Sequence, residues 1–194
     1  MNQYEAAYTI RPARLTVDQF AAIDDCGALA RLGRTELRGG AIYQIAAQYS
    51  DHAVVKGTLY NRLYDVATRV HGLHVIVEVT VRVGEHDAPE PDIIICRHVR
   101  RRSFVAVKDV ILAVEVSSTT LDDDLGYKAQ LYASAGVPEY WVVDTVGERV
   151  LRMWAPAADG YARDDELPFG ATVAMITRAE IALSTADLFA GMAG

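Results

Sequence analysis

The sequence predicts an α/β protein, a sheet covered by helices, and two kinds of stretch carry that expectation. Val110–Val116 and Glu139–Asp144 are short, β-branched and apolar, the pattern of strands buried on both faces. Helical stretches surround them: one from Thr120 or Asp122 to Gly136 joins the two strands, and a longer one from Ser50 to about Val70 precedes both. A sheet apolar on both faces needs helices to cover it, which is the logic of an α/β architecture. Periodicity alone leaves the strand order open.

Taken in order, Thr16 and Gln19 make a capping box, so a short helix starts near Val17. Residues 34–46, RTELRGGAIYQIA, read as two strands joined at Gly39–Gly40, with Glu36 in the first. Ser50 is placed to cap the long helix, whose inward stripe is Val55, Leu59, Leu63, Val66 and Val70; His52 lies on the same stripe in the first turn. His74–Val83 reads as one extended segment, and GEHDAPEP turns the chain. Asp92 then stands at the mouth of the apolar strand Ile93–Cys96. Arg149–Pro156 is expected to pair with Glu139–Asp144 across Thr145–Gly147. Residues 157–168 read as polar and irregular, and IALSTADLFAGM as a strand, a Ser184 cap and a final helical turn.

A chain of 194 residues is long enough for one core without disulfides, so a single domain over residues 1–194 is expected. Apolar residues make up 51% and charged residues 23%, which fits a soluble globular protein, and no apolar run approaches the roughly 20 residues of a membrane span. Residues 1–15 lack the apolar stretch of a secretory leader. Cys26 and Cys96 show no metal-ligand spacing and read as reduced thiols of a cytoplasmic protein. The net charge of −7 argues against strong non-specific nucleic-acid binding, which depends on cations neutralising phosphates. The basic run Arg97–Arg102 is a local exception and reads as a solvated loop.

One residue resists the purely structural description. Glu115 lies inside the buried strand, where a carboxylate is costly unless paired, protonated or metal-bound. The helix that follows places Leu125, Tyr132 and Ala135 on its inward stripe, with Lys128 in the middle. A buried ion pair explains this, but such pairs stabilise weakly because desolvation offsets their attraction. Asp92, Glu115 and Lys128 together offer more. Two carboxylates on neighbouring strands can share a hard divalent cation such as Mg²⁺, which activates water, while a lysine orients or helps deprotonate that water and balances charge on a phosphoryl oxygen. Nucleophilic triads, GxGxxG loops and Walker A sequences find no support.

These residues lie in PEPDIII and LAVEVSSTTLDDDLGYKAQLYASAGVPEYWVVD, which, with LTVDQFAAI and TELRGGAIY upstream, resemble the Uma-two family, a branch of the PD-(D/E)xK nuclease superfamily. The resemblance spans nearly the whole chain. It implies a restriction-endonuclease-like fold, a mixed central β-sheet flanked by helices, and Mg²⁺-dependent hydrolysis of DNA phosphodiesters, with Mn²⁺ as a substitute. It also implies that Asp92 is the PD aspartate, Glu115 the strand glutamate, Lys128 the lysine moved to the helix, Glu36 the upstream glutamate and His52 the helix histidine. Ser117 stands where the parent superfamily's ExK motif has its lysine. Cutting both DNA strands takes two sites or two binding events, which points to a homodimer. The alternative is a nuclease-fold protein that has lost catalysis and serves as a binding module.

Overall fold

The structure is a computed structural model that describes residues 11–192; the first ten residues of the stretch expected to lack a leader lie outside it. Helix α1 (Val17–Asp25) opens on the expected capping box, Thr16 accepting from the Gln19 N–H and the Gln19 side chain accepting in return. Strands β1 (Thr35–Arg38) and β2 (Ala41–Gln44) pair with Arg38 opposite Ala41. The turn between them is Gly39–Gly40, at φ of 55° and 85°, the left-handed pair that a tight hairpin requires.

Helix α2 (Ser50–Ala67) differs slightly from expectation: Tyr49 is its N-cap and Ser50 its first residue, and it stops before Val70. The chain turns at Gly72, φ 81°, to enter β3 (His74–Val77). Its buried stripe is His52, Val55, Leu59, Leu63 and Ala67. The expected continuous strand over His74–Val83 is broken at Glu78, which adopts φ 49° and turns its carboxylate to Arg34 and Lys56. Beyond the break, β4 (Val81–Arg82) pairs with β6 (Val105–Ala106) outside the central sheet.

Strands β5 (Ile93–Cys96), β7 (Val110–Ser117) and β8 (Glu139–Asp144) are buried throughout. The connection from β7 to β8 is helical, but not one regular α-helix. It comprises α3 (Leu121–Asp123), a π-helical turn Asp124–Lys128, and α4 (Ala129–Ser134). The inward residues are accordingly Asp124, Lys128, Ala129, Tyr132 and Ala133, with Leu125 and Ala135 only half-buried. Strand β9 (Arg149–Ala157) pairs with β8 as expected. Residues 157–168 are not irregular: β10 (Gly160–Pro168) pairs with β9 along its length. Its polarity belongs to an edge strand, where the bidentate pair Arg152–Asp165 supplies cross-strand attraction in place of apolar alternation. Finally, β11 (Thr172–Ala174) and β12 (Ala182–Ser184) form a small ribbon. The segment after Ser184 is a run of turns, not a helical turn, because Arg62 donates to the carbonyls of Ser184 and Ala186 at 2.6 Å and ties it to α2.

The central sheet has the order β10-β9-β8-β7-β5-β3 and is mixed, since β7–β8 is parallel and its other pairs are antiparallel. One face packs Ile93, Ile95, Leu112, Val114 and Trp141 against Val55, Leu59 and Leu63 of α2. The other packs Ile94, Ala113, Tyr140 and Val142 against Ala129 and Tyr132 of α4. Burying each such leucine or isoleucine contributes about 1.5–3 kcal/mol before its entropy cost. A mixed sheet with helices on both faces is the expected architecture. Among the described residues no helix is long and apolar enough to cross a membrane.

Candidate active site

The sheet places the carboxylates. Strands β5 and β7 run antiparallel with Ile93 opposite Val114, and one step further the register sets Asp92 opposite Glu115. Glu36 comes from β1, His52 from the first turn of α2, and Lys128 from the end of the π turn. These five residues, which come from separate parts of the chain, line one cleft with about 100 Å³ of space. They are nearly covered: Glu36 is 2% exposed, Glu115 3%, Asp92 4%, His52 7% and Lys128 8%.

Glu115 Oε1 receives both of its partners, Lys128 Nζ at 3.0 Å and the Tyr132 hydroxyl at 3.2 Å. Lys128 Nζ also lies 3.4 Å from Asp124 Oδ1, one turn back. Burial raises the Glu115 carboxyl well above the ordinary range; Lys128 opposes the shift, and the charges of Asp124, Asp92 and Glu36 reinforce it. Burial works against the charged form of Lys128, but Glu115, Asp124 and Glu36 outweigh it, so the ammonium holds its proton more tightly than usual. The direct Glu115–Lys128 contact is the one a structural ion pair requires, yet it lies against an open cleft.

Asp92 is held differently. Its Oδ2 accepts from the Val116 N–H at 2.9 Å and from His52 Nε2 at 3.2 Å; its Oδ1 accepts from Gln48 at 3.2 Å and lies 3.5 Å from Lys56 Nζ. Burial pushes this carboxyl up, but His52, the Val116 N–H and Lys56 together hold it below the usual range. Asp92 is a fixed carboxylate, while Glu115 is one whose proton affinity its surroundings have raised.

Several residues of the site escaped sequence reasoning. Asp124 is buried beside Lys128, accepts from the Thr120 hydroxyl at 2.6 Å, and has its carboxyl raised by burial. Lys56 joins Asp92, Gln48 and Glu78. Arg38 bonds Glu36 and Asp123, both at 2.8 Å, and lies between the Tyr43 and Tyr127 rings. A signal existed for two of them. Asp124 precedes Lys128 by four residues and Lys56 follows His52 by four, so each shares a helix face with a residue already singled out.

Five carboxylates line the cleft (Glu36, Glu90, Asp92, Glu115 and Asp124) against two permanent cations, Arg34 and Lys128. Glu36 Oε2 is buried there without a hydrogen-bond partner. A surplus of oxygen donors with an unfilled acceptor suits a hard, oxygen-seeking cation. Among the described residues no three His, Cys, Asp or Glu side chains already converge as a ligand set. Asp92 and Glu115, on neighbouring strands, are the carboxylates that could hold such an ion, with water completing its coordination.

Comparison with known proteins bears on this arrangement. The profile of the Uma2 family, described as "Putative restriction endonuclease", matches residues 17–185. A solved structure from Anabaena variabilis ATCC 29413, described as "a putative nuclease belonging to DUF820", has 18% sequence identity with this chain. The likeness covers 90% of this chain and 97% of that one at a TM-score of 0.65, so the two share a fold. No curated protein matches the chain. With the profile running from α1 to the residue after β12 on a nuclease-like fold, the chain belongs to the Uma2 family of restriction-endonuclease-like proteins.

Proposed function

We propose that the protein is a divalent-metal-dependent endonuclease that hydrolyses DNA phosphodiester bonds, with Asp92 and Glu115 holding Mg²⁺ or Mn²⁺. The observation that carries this reading is the convergence of Glu36, His52, Asp92, Glu115 and Lys128 on one cleft in a member of this family. Restriction-endonuclease-like proteins generally work with a divalent ion; when bound, it supplies Lewis acidity and a water of lowered pKa.

The chain's own groups divide the remaining work. Lys128, kept protonated by Glu115, Asp124 and Glu36, acts as a cation that orients water and balances charge on the phosphoryl oxygen, not as a base. Glu115 carries both of its protein partners, Lys128 and the Tyr132 hydroxyl, on Oε1, which leaves Oε2 to hold the ion. His52 fixes Asp92 through Nε2, and Gln48 and Lys56 steady the other oxygen. Glu36 Oε2 offers a free acceptor for a hydrogen of a bound water.

The test is cleavage of DNA of several forms with Mg²⁺, Mn²⁺ or EDTA, by the native protein and by Glu115→Ala. Metal-dependent cleavage that disappears in the variant is the expected result. Unchanged cleavage by the variant overturns the assignment of Glu115. Intact DNA under every condition overturns the nuclease reading and favours the binding module.

A further inference from the structure

The two walls of the cleft differ in chemistry. One is the strap between β2 and α2, in which Ala46, Ala47, Gln48 and Tyr49 are exposed and have no regular structure. Tyr49 is 68% exposed at the cleft mouth, although a tyrosine ring gains from being covered. Ala46 and Ala47, three and two residues before it, are small and line the same cleft. The other wall is the loop after β7, where Ser118, Thr119 and Thr120 bring small hydroxyl side chains to the cleft. Neither wall has a cation of its own. Arg34, which also lines the cleft, is committed to Glu78 at 3.0 Å and Glu90 at 2.8 Å, and Lys128 to Glu115 and Asp124.

The basic run cannot make up the deficit. It follows Cys96, at the opposite end of β5 from Asp92, so Arg97 lies about 16 Å along the strand at about 3.3 Å per residue. Outside the metal site, a duplex phosphate ridge would therefore meet an acidic cleft whose Arg34 and Lys128 are both paired, and would have to reach carboxylates that are 2–4% exposed. Sending one phosphodiester of a stacked duplex into such a recess costs bending or unstacking energy that extra contacts must repay. An unpaired strand avoids that cost, because its bases splay to one side and its phosphates to the other, and base–aromatic stacking supplies affinity that does not depend on free cations.

Resting on the nuclease reading, we infer that the substrate is an unpaired DNA strand, with a base stacked on Tyr49 at the cleft mouth and the scissile phosphate drawn into the cleft that the strap and the Ser118–Thr120 loop line. A duplex enters only where it is frayed, gapped or flipped open.

The experiment is fluorescence anisotropy with one labelled oligodeoxynucleotide, single-stranded and annealed to its complement, in Ca²⁺ buffer. It uses the native protein, Tyr49→Ala and Tyr49→Phe. A parallel gel in Mn²⁺ follows cleavage. The single strand is expected to bind at least about tenfold tighter than the duplex. Tyr49→Ala loses about tenfold on the single strand, near the lower range for one base–aromatic stack, while Tyr49→Phe, which keeps the ring, binds like the native protein. Equal or tighter duplex binding, single-strand binding that ignores the loss of the Tyr49 ring, or no binding to either form overturns the inference. Preferential binding without cleavage sinks the nuclease reading alone and leaves the strand preference standing.

Discussion

Adjacent strands each carry a buried glutamate, and the two glutamates do different things. Glu139, at the start of β8, is fully enclosed and surrounded by neutral donors. Trp141 Nε1 reaches it at 2.7 Å, the N–H groups of Ile176 and Thr177 at 3.1 and 3.0 Å, and the Thr177 hydroxyl at 2.9 Å. Its oxygens are spoken for, and it anchors the 176–177 segment to the sheet. Glu115, on β7, has two partners on one oxygen, three other carboxylates acting on it and a cleft beside it. Burial does not mark a site; what marks one is burial with unbalanced charge and open space.

The comparison breaks most sharply with paired substitutions. Glu115→Ala is expected to cut cleavage about a thousandfold or more, the several kcal/mol that metal-assisted charge stabilisation is worth at about 1.4 kcal/mol per factor of ten. Glu139→Ala should leave the cleavage rate of the folded protein alone and cost about 3 kcal/mol of stability, because it orphans several buried donors. Thermal melts would show this as a drop of about 6–12 °C. A folded Glu139→Ala protein without cleavage would dissolve the distinction.

Lys128→Met sharpens it. From sequence alone, a lysine on an apolar stripe should be replaceable by methionine without loss of stability. The structure reverses that expectation, because Lys128 balances both Glu115 and Asp124, and breaking such a buried set costs about 3–5 kcal/mol. Both carboxyls have folded pKa values raised above their ordinary ones. Their contribution is therefore most favourable at low pH and is lost as pH rises through the raised folded values. Asp92, shifted down, contributes stability above the ordinary carboxylate range that acid removes, but it is common to both proteins and drops out of their difference. In EDTA the melting-temperature gap between native and Lys128→Met protein should thus narrow from pH 7.5 to pH 5. A gap that ignores pH would mean that the carboxylates are not what lysine balances.

Smaller effects belong to the supporting residues. His52→Ala and Glu36→Gln should each slow cleavage about 10–100-fold, as is usual for groups that orient metal ligands. Full activity in the double variant would leave them as ordinary fold residues.

How legible all this was in the sequence followed from where the physical signal was local. The capping box at Thr16, the Gly39–Gly40 hairpin and the buried strands β5, β7 and β8 depend on neighbouring residues and were readable. Strand β10 was not, because its ladder depends on β9 and its polar side chains mimic a loop. The break at Glu78 depends on Arg34 and Lys56, which lie far off in sequence, and the π turn at Asp124–Lys128 leaves no mark in a 3.6-residue period. For the site, Glu115 and Lys128 announced themselves as charges in apolar places. The presence of Glu36 and His52 at the cleft was anticipated only through resemblance. Glu139 showed the reverse limit: its sequence setting resembles that of Glu115, and only the distant 176–177 segment explains it.

The most direct measurement is a calorimetric titration with Mn²⁺ of the native protein, Asp92→Ala and Glu139→Gln. Saturable binding to the native protein is expected, with similar binding to Glu139→Gln wherever that variant is folded and at least about tenfold weaker binding to Asp92→Ala. Equal binding by native protein and Asp92→Ala, or none by the native protein, would contradict a metal centre built on Asp92 and Glu115.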